Sequence, residues 1–109
     1  GMAFDLERRR PALARTVGGL SGPAIFPLAL RCVWEVAGEV SIPVVGCGGV
    51  TTGDDVLSMM LAGASAVEIG TALLADLGAA ETMLAGVREH LARGGCGDLA
   101  SLVGAGRHP

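Results

Sequence analysis

Two stretches decide the fold: Ile42-Pro43-Val44-Val45-Gly46-Cys47-Gly48-Gly49-Val50, and further on Ala66-Val67-Glu68-Ile69-Gly70-Thr71-Ala72. Each is a short apolar run that ends in glycine and leads into a helical pattern. The first run, Ile42 to Gly46, is rich in β-branched residues and shows no alternation, which predicts a strand buried on both faces. Pro43 belongs at its start, where a missing N–H matters least. The second strand is expected over Ala66 to Gly70. Strands that alternate with helices imply βα units and parallel pairing.

The flanking sequence supplies the helices. Leu30, Val33, Trp34 and Ala37 fall at helical spacing within Pro27 to Gly38, with Pro27 in the first turn and Gly38 as the stop. Trp34 and the Met59-Met60 pair are expected in the core. Thr52-Gly53-Asp54-Asp55 reads as a variant capping box with Thr52 as N-cap. Val56, Met59 and Met60 follow at helical spacing, and Gly63 serves as C-terminal cap. A short helix is expected over Thr71 to Leu77, and a longer one over Ala79 to Arg93 with Leu84, Val87 and Leu91 on one side, ending at Gly94-Gly95. Asp98 to Val103 reads as a last helical turn or two before a frayed tail. Met2 to Val17 reads as a loop with weak helical tendency, broken by Pro11.

Two parallel strands cannot close a sheet, and a full (β/α)8 barrel needs about 250 residues. With 109 residues, the pattern is that of the C-terminal portion of a TIM barrel, its last two βα units. The division is a loop region over 1–23, the βα units over 24–78, and C-terminal helices and tail over 79–109. Half of the residues are hydrophobic and 17% are charged, against about 25% charged in an average domain. Such apolar content in a small chain calls for neighbours, either more chain or another subunit.

Net charge is −3. Arg8-Arg9-Arg10 is one short cationic cluster next to Asp5 and Glu7, with too few aromatics for a nucleic-acid surface. No apolar run reaches membrane-span length, and no signal peptide is evident. Cys32, Cys47 and Cys96 have neither disulfide-framework nor zinc spacing, which suits a reducing compartment. Cys32 is expected as filler; Cys47 lies at a strand end near the phosphate-site glycines described below, where a chemical role is the alternative to the expected packing one. His90 is expected to be solvated, with His108 in the tail, and no metal site is expected. Glu68 interrupts an apolar strand and is expected to pair with a neighbouring helix or strand.

The chemistry lies in the glycines. Phosphate needs preorganised N–H donors, which a glycine turn at a helix N-terminus supplies. Gly48-Gly49 and Gly70-Thr71 sit after consecutive strands, the arrangement that makes one joint phosphate site in many barrels, and Thr71 adds a hydroxyl. Tight turns alone would also call for glycine; it is the pair together that favours phosphate.

Gly1 to Asp5, Gly18-Gly19-Leu20-Ser21-Gly22-Pro23-Ala24-Ile25, Ile42 to Gly46, Gly48 to Val50, Ala62 to Val67 and Gly70 to Ala72, in this order, resemble the dihydroorotate dehydrogenases, in particular the bacterial NAD-linked, FMN-dependent class. The resemblance runs from residue 1 to about residue 104, and the Gly18–Ile25 segment is its most specific part. It implies that Gly22 approaches FMN through its backbone and that Gly48, Gly49, Gly70 and Thr71 hold the FMN phosphate. It implies hydride transfer from dihydroorotate to the flavin, giving orotate in pyrimidine biosynthesis. Electrons would then pass to NAD through a subunit carrying FAD and an iron–sulfur cluster. A cytoplasmic oligomer with no membrane or nucleic-acid partner is expected.

The family's cysteine base, flavin-contacting lysine and most substrate-binding asparagines lie upstream of the resembling segment. This chain has no lysine and no asparagine, so no catalytic residue is assigned to it. Phe26 stands where the family has a basic residue. Two alternatives remain: a stand-alone phosphate- or nucleotide-binding module, perhaps rebuilding a barrel from several copies, and a truncated remnant without activity. Within the enzymes, related flavin barrels that reduce pyrimidines share this phosphate-binding end.

Overall fold

The computed structural model describes residues 1–94 and 98–107. Cys96, and the tail that holds His108, lie outside the described residues. Four strands and four α-helices follow in the order β1 (Phe4–Asp5), β2 (Arg10–Pro11), α1 (Phe26–Glu39), β3 (Val45–Cys47), α2 (Gly53–Ala62), β4 (Ala66–Glu68), α3 (Thr71–Ala75) and α4 (Ala79–Gly94). Short 3-10 turns cover Pro23–Ile25, Leu99–Leu102 and Ala105–Arg107. β3 and β4 pair in parallel, with Val45 opposite Ala66, Gly46 opposite Val67 and Cys47 opposite Glu68.

One face of this ribbon is covered. Gly46 faces the helices, and a Cβ there would meet the Met59 sulfur at 3.1 Å and the Ala64 Cβ at 3.3 Å. Met59 is fully buried and joins Val33, Val50, Ala62 and Met83 in the core. The other face is open: Val45 is 51% exposed, and Cys47, Ala66 and Glu68 are exposed as well. The expectation of burial on both faces therefore holds for one face only, because α1, α2 and α4 all pack on the same side. The strands are also shorter than expected. Pairing starts at Val45, not Ile42, and stops at Glu68.

α2 sits between α1 and α4, and its ends behave as the sequence predicts. The Thr52 side chain accepts from Asp55 N at 3.1 Å, while Asp55 Oδ2 accepts from Thr52 N at 2.9 Å. Gly63 caps the C-terminus at φ 119°, a conformation that favours glycine. α4 buries Ala79, Met83 and Val87, whereas Leu84 is 54% exposed and Leu91 half-buried. The expected face of Leu84, Val87 and Leu91 is thus rotated. The cause is backbone packing at Gly53, where a Cβ would lie 2.9 Å from the Met83 carbonyl oxygen and 3.1 Å from Val87 N.

Four further expectations are corrected. Residues near the start form an antiparallel hairpin, Phe4 opposite Pro11 and Asp5 opposite Arg10, where a loop with weak helical tendency was expected. Asp5 closes the turn by accepting from Arg8 N at 3.0 Å, and Arg9 takes φ 51°. α1 runs through Gly38 to Glu39, and Gly38 instead makes room for the Arg107 guanidinium, which a Cβ would strike. Trp34 is not core: it is 43% exposed, with Arg107 lying 4.6 Å from its ring centroid. Arg107 also donates to the carbonyl oxygens of Trp34 and Ala62, and Gly104 N donates to Met60 O at 2.8 Å. The segment expected to fray is therefore fastened to α1 and α2 as far as Arg107.

The molecule measures 56 × 33 × 21 Å with a radius of gyration of 16.8 Å. A compact domain of about 100 residues has a radius near 13 Å. The hairpin arm and the open sheet face account for the difference in shape.

Candidate phosphate site

The C-terminal ends of β3 and β4 lie side by side, and the loops that leave them share one cavity. Its volume is about 180 Å³, and its lining includes Gly22, Cys47, Gly48, Gly49, Glu68, Gly70 and Thr71. All five residues singled out in the sequence thus meet at one place, although Gly22 lies far before the others in the chain. Larger grooves open on the outer surface between helices, among them one lined by Asp54, Ser58, His90 and Arg93; none of the five reaches them.

Gly22 is brought there by close backbone packing. A Cβ on Gly49 would lie 2.7 Å from the Gly22 carbonyl oxygen and 2.5 Å from Phe26 N. Gly49 sits at φ 71° and Gly48 at φ 129°, both in the region that side chains avoid. These two glycines are required by the fold itself. Gly70 differs: a Cβ there would meet nothing within 4 Å, so its small size leaves room for a ligand instead of serving packing. The amides of Gly48, Gly49, Gly70 and Thr71 donate in none of the turn, loop and cap hydrogen bonds among the described residues. They are the N–H groups an anion needs.

The helix N-termini contribute less than the sequence suggests. α2 begins only at Gly53, and the amides of Thr51 and Thr52 both donate to Asp55 Oδ2 at 2.9 Å. The acid of the capping box thus takes up the two amides just before α2. Burial works to raise the Asp55 pKa, but hydrogen bonds from Thr51 and Thr52 outweigh it and hold the carboxyl below its ordinary value of 3.8. α3 starts at Thr71 and is one short helix of five residues.

Charge around the cavity is unusual for an anion site. No arginine lines it, and Glu68 does. The three ion pairs found among the described residues, Arg8–Asp5, Arg31–Glu35 and Arg93–Glu89, do not include Glu68. The expectation that Glu68 pairs with a neighbouring element is corrected: it points with Cys47 onto the open sheet face. Cys47 and Cys32 were expected as packing, and both are exposed. Sequence reasoning placed Cys47 near the site but missed Glu68 as a lining residue. The signal was available, since Glu68 stands two positions before Gly70. His90 is exposed, as expected.

A family model described as dihydroorotate dehydrogenase matches residues 1–91. The chain belongs to the dihydroorotate dehydrogenase family. It is 54% identical over 105 residues to the catalytic subunit of dihydroorotate dehydrogenase B (NAD(+)) of Geobacter sulfurreducens, covering 96% of this chain and 34% of that protein. The corresponding subunit of Geotalea daltonii is 51% identical over the same length and coverage. A crystal structure of the Eimeria tenella dihydroorotate dehydrogenase with ferulenol superposes with a TM-score of 0.80 at 25% identity, covering 97% of this chain and 29% of that one. The chain therefore carries a C-terminal portion of the family's α/β barrel and spans about a third of the length of the curated relatives it matches. No helix in the described residues is long and apolar enough to cross a membrane.

The residues present fit the phosphate end of FMN, the cofactor that the resemblance implies. Amides that donate in no turn, loop or cap bond, the Thr71 hydroxyl and the open space at Gly70 provide donors and room. Ligand pockets for whole small molecules usually measure about 300–1,000 Å³, so a cavity of about 180 Å³ suits a phosphate and its nearest atoms. The rest of a flavin would need walls from outside this chain.

Proposed function

We propose that this chain is the FMN-phosphate-binding part of a dihydroorotate dehydrogenase of the NAD-linked class. Gly48, Gly49, Gly70 and Thr71 bind the phosphate through their N–H groups, and Gly22 closes the cavity from the side of α1. The observation that carries this reading is the meeting of these five residues at one cavity across the C-terminal ends of two parallel strands, where barrel enzymes place their chemistry. FMN, when bound, accepts a hydride from dihydroorotate and so yields orotate in pyrimidine biosynthesis. The residues of this chain anchor and orient the cofactor. The acid–base groups that touch substrate lie outside it, in keeping with a chain that has no lysine or asparagine. A second subunit carrying FAD and an iron–sulfur cluster would take the electrons to NAD; the relatives' description as catalytic subunits supports that extension. We place the protein in the cytoplasm, supported by two free exposed cysteines, Cys32 and Cys47.

The test is a chimaera in which residues 1–109 replace the matching third of the Geobacter sulfurreducens relative. It should purify with FMN and discriminate strongly against riboflavin, which lacks the phosphate. Gly70→Glu should strip the flavin while leaving the melt intact. Equal binding of FMN and riboflavin, or full flavin content in Gly70→Glu, would end the phosphate assignment. Gly49→Glu is a poor probe, because its Cβ would collide with the α1 backbone before its carboxylate met any phosphate.

A further inference from the structure

The cavity across the ends of β3 and β4 is lined by backbone donors and by one acid. None of its lining residues is an arginine, lysine or histidine, and Glu68 is the one carboxylate among them. The strand register puts Glu68 opposite Cys47, and these two are the titratable side chains of the lining. The segment before α1, the loop before α2 and the start of α3 contribute no ionisable side chain to it. Asp55 stands behind Thr51, whose amide and hydroxyl both donate to Asp55 Oδ2, at 2.9 and 3.0 Å. It is ionised at neutral pH, with its pKa below the ordinary 3.8. The charge that this chain sets around the cavity is therefore negative.

The donors are limited in number. The amides of Gly48, Gly49, Gly70 and Thr71 donate in no turn, loop or cap bond among the described residues, and the Thr71 hydroxyl adds one more donor. A phosphate ester presents three acceptor oxygens, each with about two sites, as on a carboxylate. Those four amides fill two of the oxygens, and the hydroxyl half-fills the third. A doubly charged ester therefore carries its second charge on an oxygen short of donors, beside an acidic wall that opposes it. A proton kept on that oxygen removes the opposition.

We propose that Glu68 makes this cavity a site for singly charged esters: it selects FMN in the form that keeps one phosphate proton and disfavours the doubly charged form. The proposal rests on the phosphate reading of the cavity. A phosphate ester loses its second proton near about pH 6. The bound ester holds that proton more tightly than the free one, so affinity is fully present below that pH and falls as pH rises through it. In the limit where the singly charged form alone binds, the loss reaches about fiftyfold between about pH 6 and pH 8.

The test uses the chimaera of residues 1–109 with the Geobacter sulfurreducens relative and reads binding by flavin fluorescence. Riboflavin is measured beside FMN at each pH, which removes effects on the ring. The expected result is that the ratio of FMN to riboflavin affinity falls at least about fivefold from about pH 6 to pH 8. Riboflavin 5′-sulfate keeps one charge throughout, so it should show no such fall and should overtake FMN at the upper end. Glu68→Gln, at an exposed position, should keep the melt, bind FMN more tightly at the upper end and at least halve the fall. Cys47→Ser, which removes the other titratable side chain of the lining, should leave the fall in place. A smaller fall in the unaltered chimaera overturns the proposal. So does a sulfate ester that tracks FMN, a fall that Glu68→Gln does not halve, or one that disappears in Cys47→Ser. The two readings fail differently: FMN that binds no better than riboflavin at any pH ends the phosphate reading and this proposal with it, whereas a strong preference for FMN that is flat with pH ends the charge selection alone.

Discussion

The backbone of Gly49 is pressed against that of Gly22, so closely that a Cβ on Gly49 would lie 2.7 Å from the Gly22 carbonyl oxygen. This contact ties the segment before α1 to the loop after β3. It converts two glycine motifs that are distant in sequence into one wall of one cavity.

Gly49→Ala should therefore act on folding. The substitution adds a left-handed strain of roughly 1–3 kcal/mol to an overpacking cost of similar size. Gly70→Ala, with open space around it, should change stability by less than about 1 kcal/mol and yet weaken FMN binding in the chimaera. Urea midpoints for the two variants check the first statement and flavin titration the second. Equal midpoints would mean that Gly49 is not held as described.

Thr52→Ala should cost about 1 kcal/mol through loss of the N-cap, and Thr52→Ser should restore most of it. The cap also makes stability depend on acid. Because Asp55 is held below its ordinary value of 3.8, the unfolded chain binds its proton first as pH falls. Its contribution is present above that value and is lost as pH drops through the lower, folded one. Asp55→Asn should flatten this part of the stability profile below about pH 4. An unchanged acid slope in the variant would show that the carboxylate is not held by Thr51 and Thr52.

Arg107→Ala should release the last 3-10 turn, because the guanidinium stacks on Trp34 and bonds to the Trp34 and Ala62 carbonyl oxygens at once. The expected loss is about 1–2 kcal/mol, from one cation–π contact and two charged hydrogen bonds at a partly exposed site. Hydrogen exchange at Gly104, whose N–H donates to Met60 O, should speed up. Lysine lacks the planar fork and should rescue little. Unaltered exchange at Gly104 would mean that Arg107 does not hold the tail.

What the sequence made legible follows from the range of the forces involved. The capping box and the Gly63 cap are written in residues three or four positions apart, so Thr52 and Asp55 could be paired on sight. The βα order and the glycine turns were equally readable. The hairpin was not, because strands of two residues such as Phe4–Asp5 leave no periodicity, and arginine does not announce the positive φ found at Arg9. Trp34 misled for another reason: its spacing matched the buried face, but its partner Arg107 lies at the far end of the chain. The α4 face turned on the contact of Gly53 with the Met83–Val87 backbone, which no spacing within α4 encodes. At the site, local motif reading named every glycine and the Thr52–Asp55 cap, but not the further bond from Thr51 N to Asp55 Oδ2.

Glu68 gives the sharpest test of the site's electrostatics. It lines a cavity proposed to hold a phosphate, without an arginine among the other lining residues, and it forms none of the ion pairs found among the described residues. A carboxylate about 8 Å from a phosphate opposes it by roughly 0.5–2 kcal/mol at effective dielectric constants of about 80 to 20. Glu68→Gln keeps the shape and removes the charge, so FMN should bind the chimaera roughly two- to thirty-fold more tightly. The gain should shrink as salt rises, since the group is exposed and screened. Riboflavin, which has no phosphate to repel, should show no such gain. An FMN affinity that stays the same or falls would mean that the phosphate does not sit near Glu68, and therefore does not sit between Gly48-Gly49 and Gly70-Thr71.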